Sequence, residues 1–228
     1  MLEDNLQCVA FDCDGVLVDH VSSWRALHEH FNTDNSHMLD MYIKGELKDD
    51  EFMRSDIVLW KSVQPKIHQD DMFRAYSGIK LMPGARDVVN ELKKRGILVV
   101  IISAGVDIFV SSIATMLKVD DWIANGFKFD EDGWLLDDGI VRVGGDGKNL
   151  IINRILKMHN IKPEYLFSIG DSDIDLSMMV KGSGFIGFNP SRESSKNAFR
   201  NAEVPIIVKK DLREIWPYLF DGEKFPKN

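Results

Sequence analysis

The chain has 228 residues, of which 44% are apolar and 28% are charged, and its formal net charge is −8. This length and apolar content suit one globular domain with an insertion, or two small domains, and exclude a disordered chain. The acidic balance and the scattered lysines and arginines argue against nucleic-acid binding. The apolar run at residues 97–102 is too short to cross a bilayer, so we expect a cytoplasmic protein without a membrane partner.

The first predicted element is a short buried strand at residues 7–11, QCVAF, and two aspartates follow it. Asp12 and Asp14 stand in the stretch FDCDGVLVD, separated by a single residue. Open α/β sheets bind their ligands beyond the carboxyl ends of the strands. We therefore expect both aspartates at the ligand-binding edge of a sheet.

Residues 20–80 form the next segment, in which apolar positions recur three and four residues apart without a convincing strand. This spacing predicts a small helical module inserted after the first motif. We expect it to be a cap domain that covers the active site and excludes water. The remaining residues, 1–19 and 81–228, are predicted to form the core domain.

The second half of the chain alternates strands and helices, which is typical of a parallel sheet covered by helices. The predicted elements are a helix at 85–96, a strand at 97–103, a helix at 107–118, a hairpin within 127–139, a helix at 148–160, a strand at 165–171 and two short strands in FIGF and VPIIV. Asp132 and Gly133 mark the turn of the hairpin. The predicted fold class is α/β: a Rossmann-like parallel sheet sandwiched by helices, with the small helical cap as an insertion.

Further polar residues stand where predicted strands end or helices begin. They are Ser103, Lys148, Asp171 and Asp175. Each alone has a structural alternative, because a serine suits a helix cap, a lysine a solvated surface, and the acids the first turn of a helix. Since the carboxyl ends of parallel strands converge, we expect all four to meet the two aspartates of the first motif at one point.

These segments resemble the motifs of the haloacid dehalogenase superfamily, and the chain is similar to its phosphoserine phosphatase branch. The motifs appear here as FDCDGVLVD, IISAG at 101–105, Lys148, and IGDSDIDLSM at 169–178. Similarity to the branch also lies in GELKDDEFMR, in the span 103–133 and in KKDLREIWPYL. The resemblance implies a phosphatase of the predicted fold that acts on a small phosphorylated metabolite.

The spacing of the polar residues also has a direct chemical explanation. Asp12 can attack phosphorus and form an aspartyl-phosphate, and Asp14 beside it can serve as general acid and base. Ser103 and the backbone amide of Ala104 can donate hydrogen bonds to phosphoryl oxygens, while Lys148 offsets negative charge. These roles predict the hydrolysis of phosphomonoesters.

A metal ion is expected because several carboxylates gathered around a phosphate dianion would otherwise repel it. Ligand sets made only of oxygen indicate Mg²⁺. We expect Asp12, Asp171 and the backbone carbonyl of Asp14 to hold this ion. Asp175 is expected to support the metal ligands or to orient Lys148.

Two residues give conflicting indications about the identity of the substrate. Arg54 matches the cap arginine of the phosphoserine phosphatases, which can pair with a substrate carboxylate, and a surface helix arginine is the alternative. Val21 stands where that branch carries a glutamate for the serine ammonium group, which argues against phosphoserine. Phosphoserine is the first candidate substrate. Three alternatives stay open: another small phosphometabolite as the substrate, phosphotransfer to an alcohol, and a non-catalytic phosphate-binding or regulatory role. The oligomeric state, monomer or homodimer, is also open.

Overall fold

A seven-stranded sheet lies at the centre of the computed structural model, which describes residues 6–144 and 147–226. Its strands are β1 (Cys8–Phe11), β2 (Leu98–Val106), β3 (Asp121–Phe129), β4 (Leu135–Ile140), β5 (Leu166–Gly170), β6 (Gly184–Phe188) and β7 (Ile206–Ile207). The strand order is β4-β3-β2-β1-β5-β6-β7, and neighbours run parallel except for β3 and β4. The predicted α/β, Rossmann-like fold is confirmed.

The helices include four in the insertion and five in the rest of the described chain. They are α1 (Ser23–Phe31), α2 (Ser36–Ile43), α3 (Asp49–Val63), α4 (Gln69–Arg74), α5 (Ala85–Lys94), α6 (Asp107–Leu117), α7 (Lys148–His159), α8 (Glu193–Asn201) and α9 (Trp216–Leu219). Short 3₁₀ helices lie at Pro163–Tyr165, Asp173–Met178 and Leu212–Ile215. The helical character predicted for residues 20–80 is thus observed, whereas the division into two domains stays a prediction.

The sheet is buried on both faces, as its central strand shows. Side chains of a strand alternate between the two faces, and all four residues of β1 are fully buried. Val9 and Phe11 pack into one hydrophobic core, and Cys8 and Ala10 pack into the other. A sheet covered by helices on both sides accounts for the uninterrupted apolar run in this strand.

Strand β3 begins earlier than the hairpin predicted at 127–139. Its first half pairs in parallel with β2, where Asp121 stands opposite Val100, and its second half pairs antiparallel with β4. Asp121 and Trp122 are exposed, so the first half lacks the apolar pattern of a buried strand. The hairpin itself is confirmed, with Gly133 in a left-handed conformation at φ +86°.

The hairpin holds the insertion over the sheet through helix α3. Arg54 Nη2 donates to Asp138 Oδ1 at 2.8 Å, and Lys61 Nζ donates to Asp137 Oδ1 at 2.6 Å. Three acids open α3, where the helix dipole favours negative charge.

None of the helices in the described part of the chain has the length and apolarity needed to span a membrane.

Candidate active site

The site lies at the carboxyl edge of the sheet, where three segments distant in sequence meet. Asp12 directly follows β1, and Lys148 is the first residue of α7. The Nζ atom of Lys148 donates to Asp12 Oδ1 at 2.7 Å and to Asp175 Oδ1 at 2.5 Å. All three side chains are buried. The structure therefore brings these sequence-predicted residues together at one point.

Asp175 fixes the loop that follows β5. Its Oδ2 atom accepts from the backbone amide of Asp171 at 3.0 Å. The same oxygen accepts from the amide and the hydroxyl of Ser172, at 2.9 and 2.8 Å. Because its other oxygen binds Lys148, Asp175 sets the positions of both the lysine and the loop.

Burial and the neighbouring charges shift the pKa values of the acids in the site. Burial raises the pKa of Asp12 to about 7, with Lys148 opposing the shift and Asp175 adding to it. Burial, followed by the charges of Asp175 and Asp12, raises the pKa of Asp171 well above its usual range. Burial lowers the pKa of Lys148, but the two carboxylates outweigh it and hold that pKa above its ordinary value. One ammonium group thus faces several carboxyl groups.

This donor set fits a hard divalent cation. One carboxylate oxygen from each of Asp12, Asp171 and Asp175 lies within 4.8 Å of the others. Oxygen ligands of this kind suit Mg²⁺. The side chain of Asp14 binds Ser23 and does not belong to this set. The expected binding of the metal by the Asp14 backbone carbonyl stays a prediction.

A glycine allows the first motif to approach the acidic loop this closely. Gly15 has a φ of +72°, in the left-handed region that glycine tolerates best. A Cβ atom at this position would lie 2.5 Å from Asp171 Oδ2. Any larger residue would push the acidic loop away from the first motif.

Asp14 does not bind Lys148, which forms a lysine cluster with Asp12 and Asp175. It binds Ser23 instead, a residue that the sequence analysis did not identify. The backbone amide and hydroxyl of Ser23 donate to Asp14 Oδ2 at 2.8 and 2.7 Å. The amide of Val106 donates to the Ser23 hydroxyl at 3.0 Å, which directs the hydroxyl proton toward Asp14. Burial raises the pKa of Asp14 although the two hydrogen bonds from Ser23 oppose the shift. Asp14 is therefore suited to carry a proton.

We expect Ser23→Ala to lower kcat by about tenfold, the effect of losing one hydrogen bond to a charged group. The substitution removes the hydroxyl that orients Asp14 and leaves the backbone amide bond in place. Steady-state kinetics with a generic phosphate ester would measure this loss. Ser22→Ala is the matched control, because Ser22 caps helix α1 and does not bond Asp14. Equal losses of kcat in both variants would contradict the role of Ser23.

Strand β2 extends to Val106 instead of ending at Ser103, with a register shift after Ile102. The last two backbone amides of the strand bind serine hydroxyls. Gly105 N donates to Ser103 Oγ at 3.1 Å, and Val106 N donates to Ser23 Oγ. The Ser103 hydroxyl accepts from Gly105, so its own proton stays available for a phosphoryl oxygen. A Cβ atom on Gly105 would lie 2.7 Å from Asp14 Oδ2 and 3.1 Å from Ser103 Oγ, so this segment lies beside the first motif. The binding of phosphate by Ser103 and the Ala104 amide stays a prediction.

A cavity of about 610 Å³ lies between the helical insertion and this edge of the sheet. It reaches Ala104, and its lining includes Trp24, His28, Asp56 and Val21. Arg54 is not among the described residues that line it. The side chain of Arg54 is 61% exposed and pairs with Asp138. Its expected contact with a substrate carboxylate stays a prediction.

Fold and site together define a hydrolase of phosphate esters built on a parallel α/β sheet. Residues 9–180 match the haloacid dehalogenase-like hydrolases, and the chain belongs to that family. It is a phosphatase of the haloacid dehalogenase type, and it resembles phosphoserine phosphatase.

Individual relatives cover nearly the whole chain. The phosphoserine phosphatase of Methanocaldococcus jannaschii is 27% identical over 224 residues, which cover 96% of this chain and 100% of the relative. That of Wolinella succinogenes is 24% identical over 218 residues, covering 94% and 100%. A solved phospho-aspartyl intermediate analogue of phosphoserine phosphatase superposes with a TM-score of 0.78 at 26% identity, covering 95% of this chain and 100% of that one. The resemblance inferred from the motifs is confirmed.

Proposed function

We propose that the protein is a Mg²⁺-dependent phosphomonoester hydrolase that acts through an aspartyl-phosphate on Asp12. The proposed substrate is a small phosphorylated metabolite, with phosphoserine as the first candidate because the relatives above bear that name. The observation that carries the proposal is the separation of two buried carboxyl groups. Lys148 binds Asp12, whereas Ser23 binds Asp14. Asp12 is thereby suited to attack phosphorus, and Asp14 is suited to transfer protons.

In the first half-reaction, the carboxylate of Asp12 attacks phosphorus. Lys148 occupies its Oδ1 atom, so we assign the attack to Oδ2. As the phosphorus–oxygen bond to the leaving group breaks, Asp14 donates its proton to the departing alkoxide. Burial raises the pKa of Asp14, so this carboxyl group takes up a proton more readily than an exposed aspartate does.

In the second half-reaction, water attacks the aspartyl-phosphate. Asp14, now a carboxylate, accepts a proton from that water and returns to its starting form. The bond between phosphorus and Asp12 breaks, which releases inorganic phosphate. The Ser103 hydroxyl and the Ala104 amide would donate to phosphoryl oxygens in both steps.

Mg²⁺ would supply positive charge for the phosphoryl oxygens. Its ligands would be Asp12, Asp171 and Asp175, whose oxygens lie close together, with the Asp14 backbone carbonyl as a further expected ligand. Lys148 supplies a second, permanent positive charge next to Asp12. Together these charges would counter the repulsion between the acids and a phosphate dianion.

Phosphate release from a panel of phosphorylated metabolites with Mg²⁺ tests the proposed function. We expect hydrolysis of small phosphomonoesters and of the generic substrate p-nitrophenyl phosphate. Parallel reactions with an added alcohol distinguish water from an alcohol as the acceptor. No phosphate release and no phosphotransfer from any member of the panel would reject the proposal.

We expect Arg54→Ala to raise KM for phosphoserine by about 10- to 100-fold, the effect of losing a charge-assisted hydrogen bond. This requires that Arg54 exchange Asp138 for the substrate carboxylate during binding. KM for p-nitrophenyl phosphate, which lacks a carboxylate, should hardly change.

Lys61→Ala is the matched control for this prediction. Lys61 lies on the same helix and pairs with the neighbouring Asp137, so its loss also weakens the contact between α3 and the hairpin. An equal rise in KM in both variants would assign the effect to anchoring of the helix and not to substrate binding.

A further inference from the structure

A buried side-chain amide, that of Asn125, has no part in the mechanism above. Asn125 lies on β3 and is 5% exposed. Its Nδ2 atom donates to the carbonyl oxygens of Ala104, at 3.1 Å, and Val143, at 2.9 Å. Its Oδ1 atom accepts from the backbone amides of Arg142 and Val143, both at 2.8 Å. One side chain thus connects β2 to the segment that follows β4.

The orientation of this amide follows from its partners. A backbone amide can only donate, so the atom that faces Arg142 N and Val143 N must be the oxygen, and Nδ2 faces the carbonyls. A side-chain amide offers two N–H donors and two lone pairs on its oxygen. All of these are occupied in Asn125, although the residue borders the cavity. Asn125 can therefore act on a ligand only through the segments that it holds.

The segment held through Ala104 is a bulge in β2. Ile102 stands opposite Ile123, and Val106 stands opposite Asn125, so three residues of β2 face one residue of β3. The three are Ser103, Ala104 and Gly105. A bulge leaves residues without partners in the hydrogen-bond ladder and redirects them, as is common next to active sites. Such a segment needs other contacts to hold its conformation.

The contacts that hold the bulge act on the peptide group between Ala104 and Gly105. Its carbonyl oxygen accepts from Asn125 Nδ2 and from Trp24 Nε1, the latter at 3.0 Å. Its N–H donates to Ser103 Oγ at 3.1 Å. Because a peptide group is planar, bonds at both of its ends fix its plane. This limits the orientations that are open to the adjoining amide of Ala104.

We propose that Asn125 is a positioning residue that sets the phosphate-binding segment through the carbonyl of Ala104. The inference rests on the proposed function, in which Ser103 and Ala104 donate to phosphoryl oxygens. Asn125 also holds Val143, and so it ties this segment to the chain that leads into α7, where Lys148 is the first residue. Donors that are fixed in advance bind a phosphoryl group better than donors that must first reorient.

Calorimetric titration with inorganic phosphate in the presence of Mg²⁺ tests this inference. Inorganic phosphate has no leaving group, so its affinity reports on the phosphate-binding segment and not on the cavity. We expect Asn125→Ala to lower this affinity by about 3- to 10-fold, the effect of one hydrogen bond between uncharged groups.

Val89→Ala is the control for a loss of stability alone. Val89 lies on α5, where it is fully buried and belongs to the hydrophobic core. The substitution removes buried apolar atoms and leaves a cavity, so it should lower the unfolding temperature. The affinity for phosphate should stay unchanged.

A double-variant cycle with Trp24→Phe separates positioning from general destabilisation. Trp24→Phe removes the other donor to the Ala104 carbonyl and keeps an aromatic ring. Each single variant leaves one donor in place, so the double variant should lose more affinity than the product of the single losses. If Asn125→Ala does not fold, Asn125→Asp enters the same cycle, because its oxygens still accept from Arg142 N and Val143 N. The effect of its charge would only multiply the loss in Trp24→Phe.

Three results would overturn the inference: unchanged phosphate affinity in a folded Asn125 variant, an equal loss in Val89→Ala, or a double variant that loses no more than the product of the single losses. Absence of phosphate binding by the parent protein would overturn it as well. Hydrolysis of p-nitrophenyl phosphate reports separately on the proposed function. A parent protein that binds phosphate without hydrolysing the ester would reject the hydrolase, and the calorimetric cycle would still decide the role of Asn125.

Discussion

Asp12→Asn is expected to abolish turnover, with a loss of kcat on the order of 10³-fold or more. An amide does not attack phosphorus, so the covalent step cannot occur. The carbonyl oxygen of the new side chain can still accept from Lys148, which bonds Asp12 at 2.7 Å in the parent protein. We therefore expect the variant to fold normally, as measured by circular dichroism and thermal unfolding.

The same motif supplies the control for this result. Asp19 is the third aspartate of FDCDGVLVD, and it is exposed and paired with Lys210 at 2.7 Å. Asp19→Asn removes a charge of the same kind outside the lysine cluster, so kcat should stay close to that of the parent. Near-normal activity of Asp12→Asn, with correct folding, would contradict the assignment of the nucleophile.

The second large effect is expected from metal removal. EDTA should reduce phosphatase activity by on the order of 10³-fold, since a bound cation contributes several kcal/mol of charge stabilisation. Added Mg²⁺ should restore the activity. Ca²⁺ should restore it poorly, because its larger and looser coordination disturbs the in-line geometry of phosphoryl transfer. Activity assays before and after chelation, with each ion added back, measure this effect.

Two variants of the acidic loop sharpen the metal experiment. Asp171→Asn removes an oxygen charge from the proposed ligand set, so half-maximal activity should require more Mg²⁺. Asp173 lies two residues further on and accepts from Ser195 Oγ at 3.2 Å, away from that set. Asp173→Asn should leave the Mg²⁺ requirement unchanged. Full activity in excess chelator would exclude a metal-dependent mechanism.

The lysine cluster could be predicted from the sequence because its geometry follows from the topology. Asp12 and Asp171 follow neighbouring parallel strands, and Lys148 begins a helix that packs on the same sheet. A run of apolar residues that ends in an acid is visible in the sequence without knowledge of any contact. The rule that carboxyl ends of parallel strands meet at one edge then brings the residues together.

The role of Ser23 and the burial of Asp56 could not be found in this way, because both depend on contacts between elements. Ser23 occupies an ordinary position at the start of α1, and its hydroxyl accepts from Val106, a residue 83 positions away. Asp56 lies within a charged helix, where an acid usually faces solvent. Only the packing of α3 against α1 reveals that it is buried beside His28.

The family resemblance was informative about the reaction and less so about the substrate. Lys148, a motif residue that the resemblance implies, donates to both Asp12 and Asp175. Arg54 occupies a position that also matches the family, yet it contacts Asp138, which lies 84 residues away. A local sequence match does not determine which partner a long exposed side chain selects.

Rapid-quench trapping of the aspartyl-phosphate is the most direct test of the mechanism. The protein is mixed with p-nitrophenyl phosphate and Mg²⁺, quenched in acid within the first turnover, and digested for mass spectrometry. We predict that the peptide containing Asp12 carries a phosphoryl group on that residue before inorganic phosphate is released. Release of phosphate during the first turnover with Asp12 unmodified, or with another residue phosphorylated, would contradict the account.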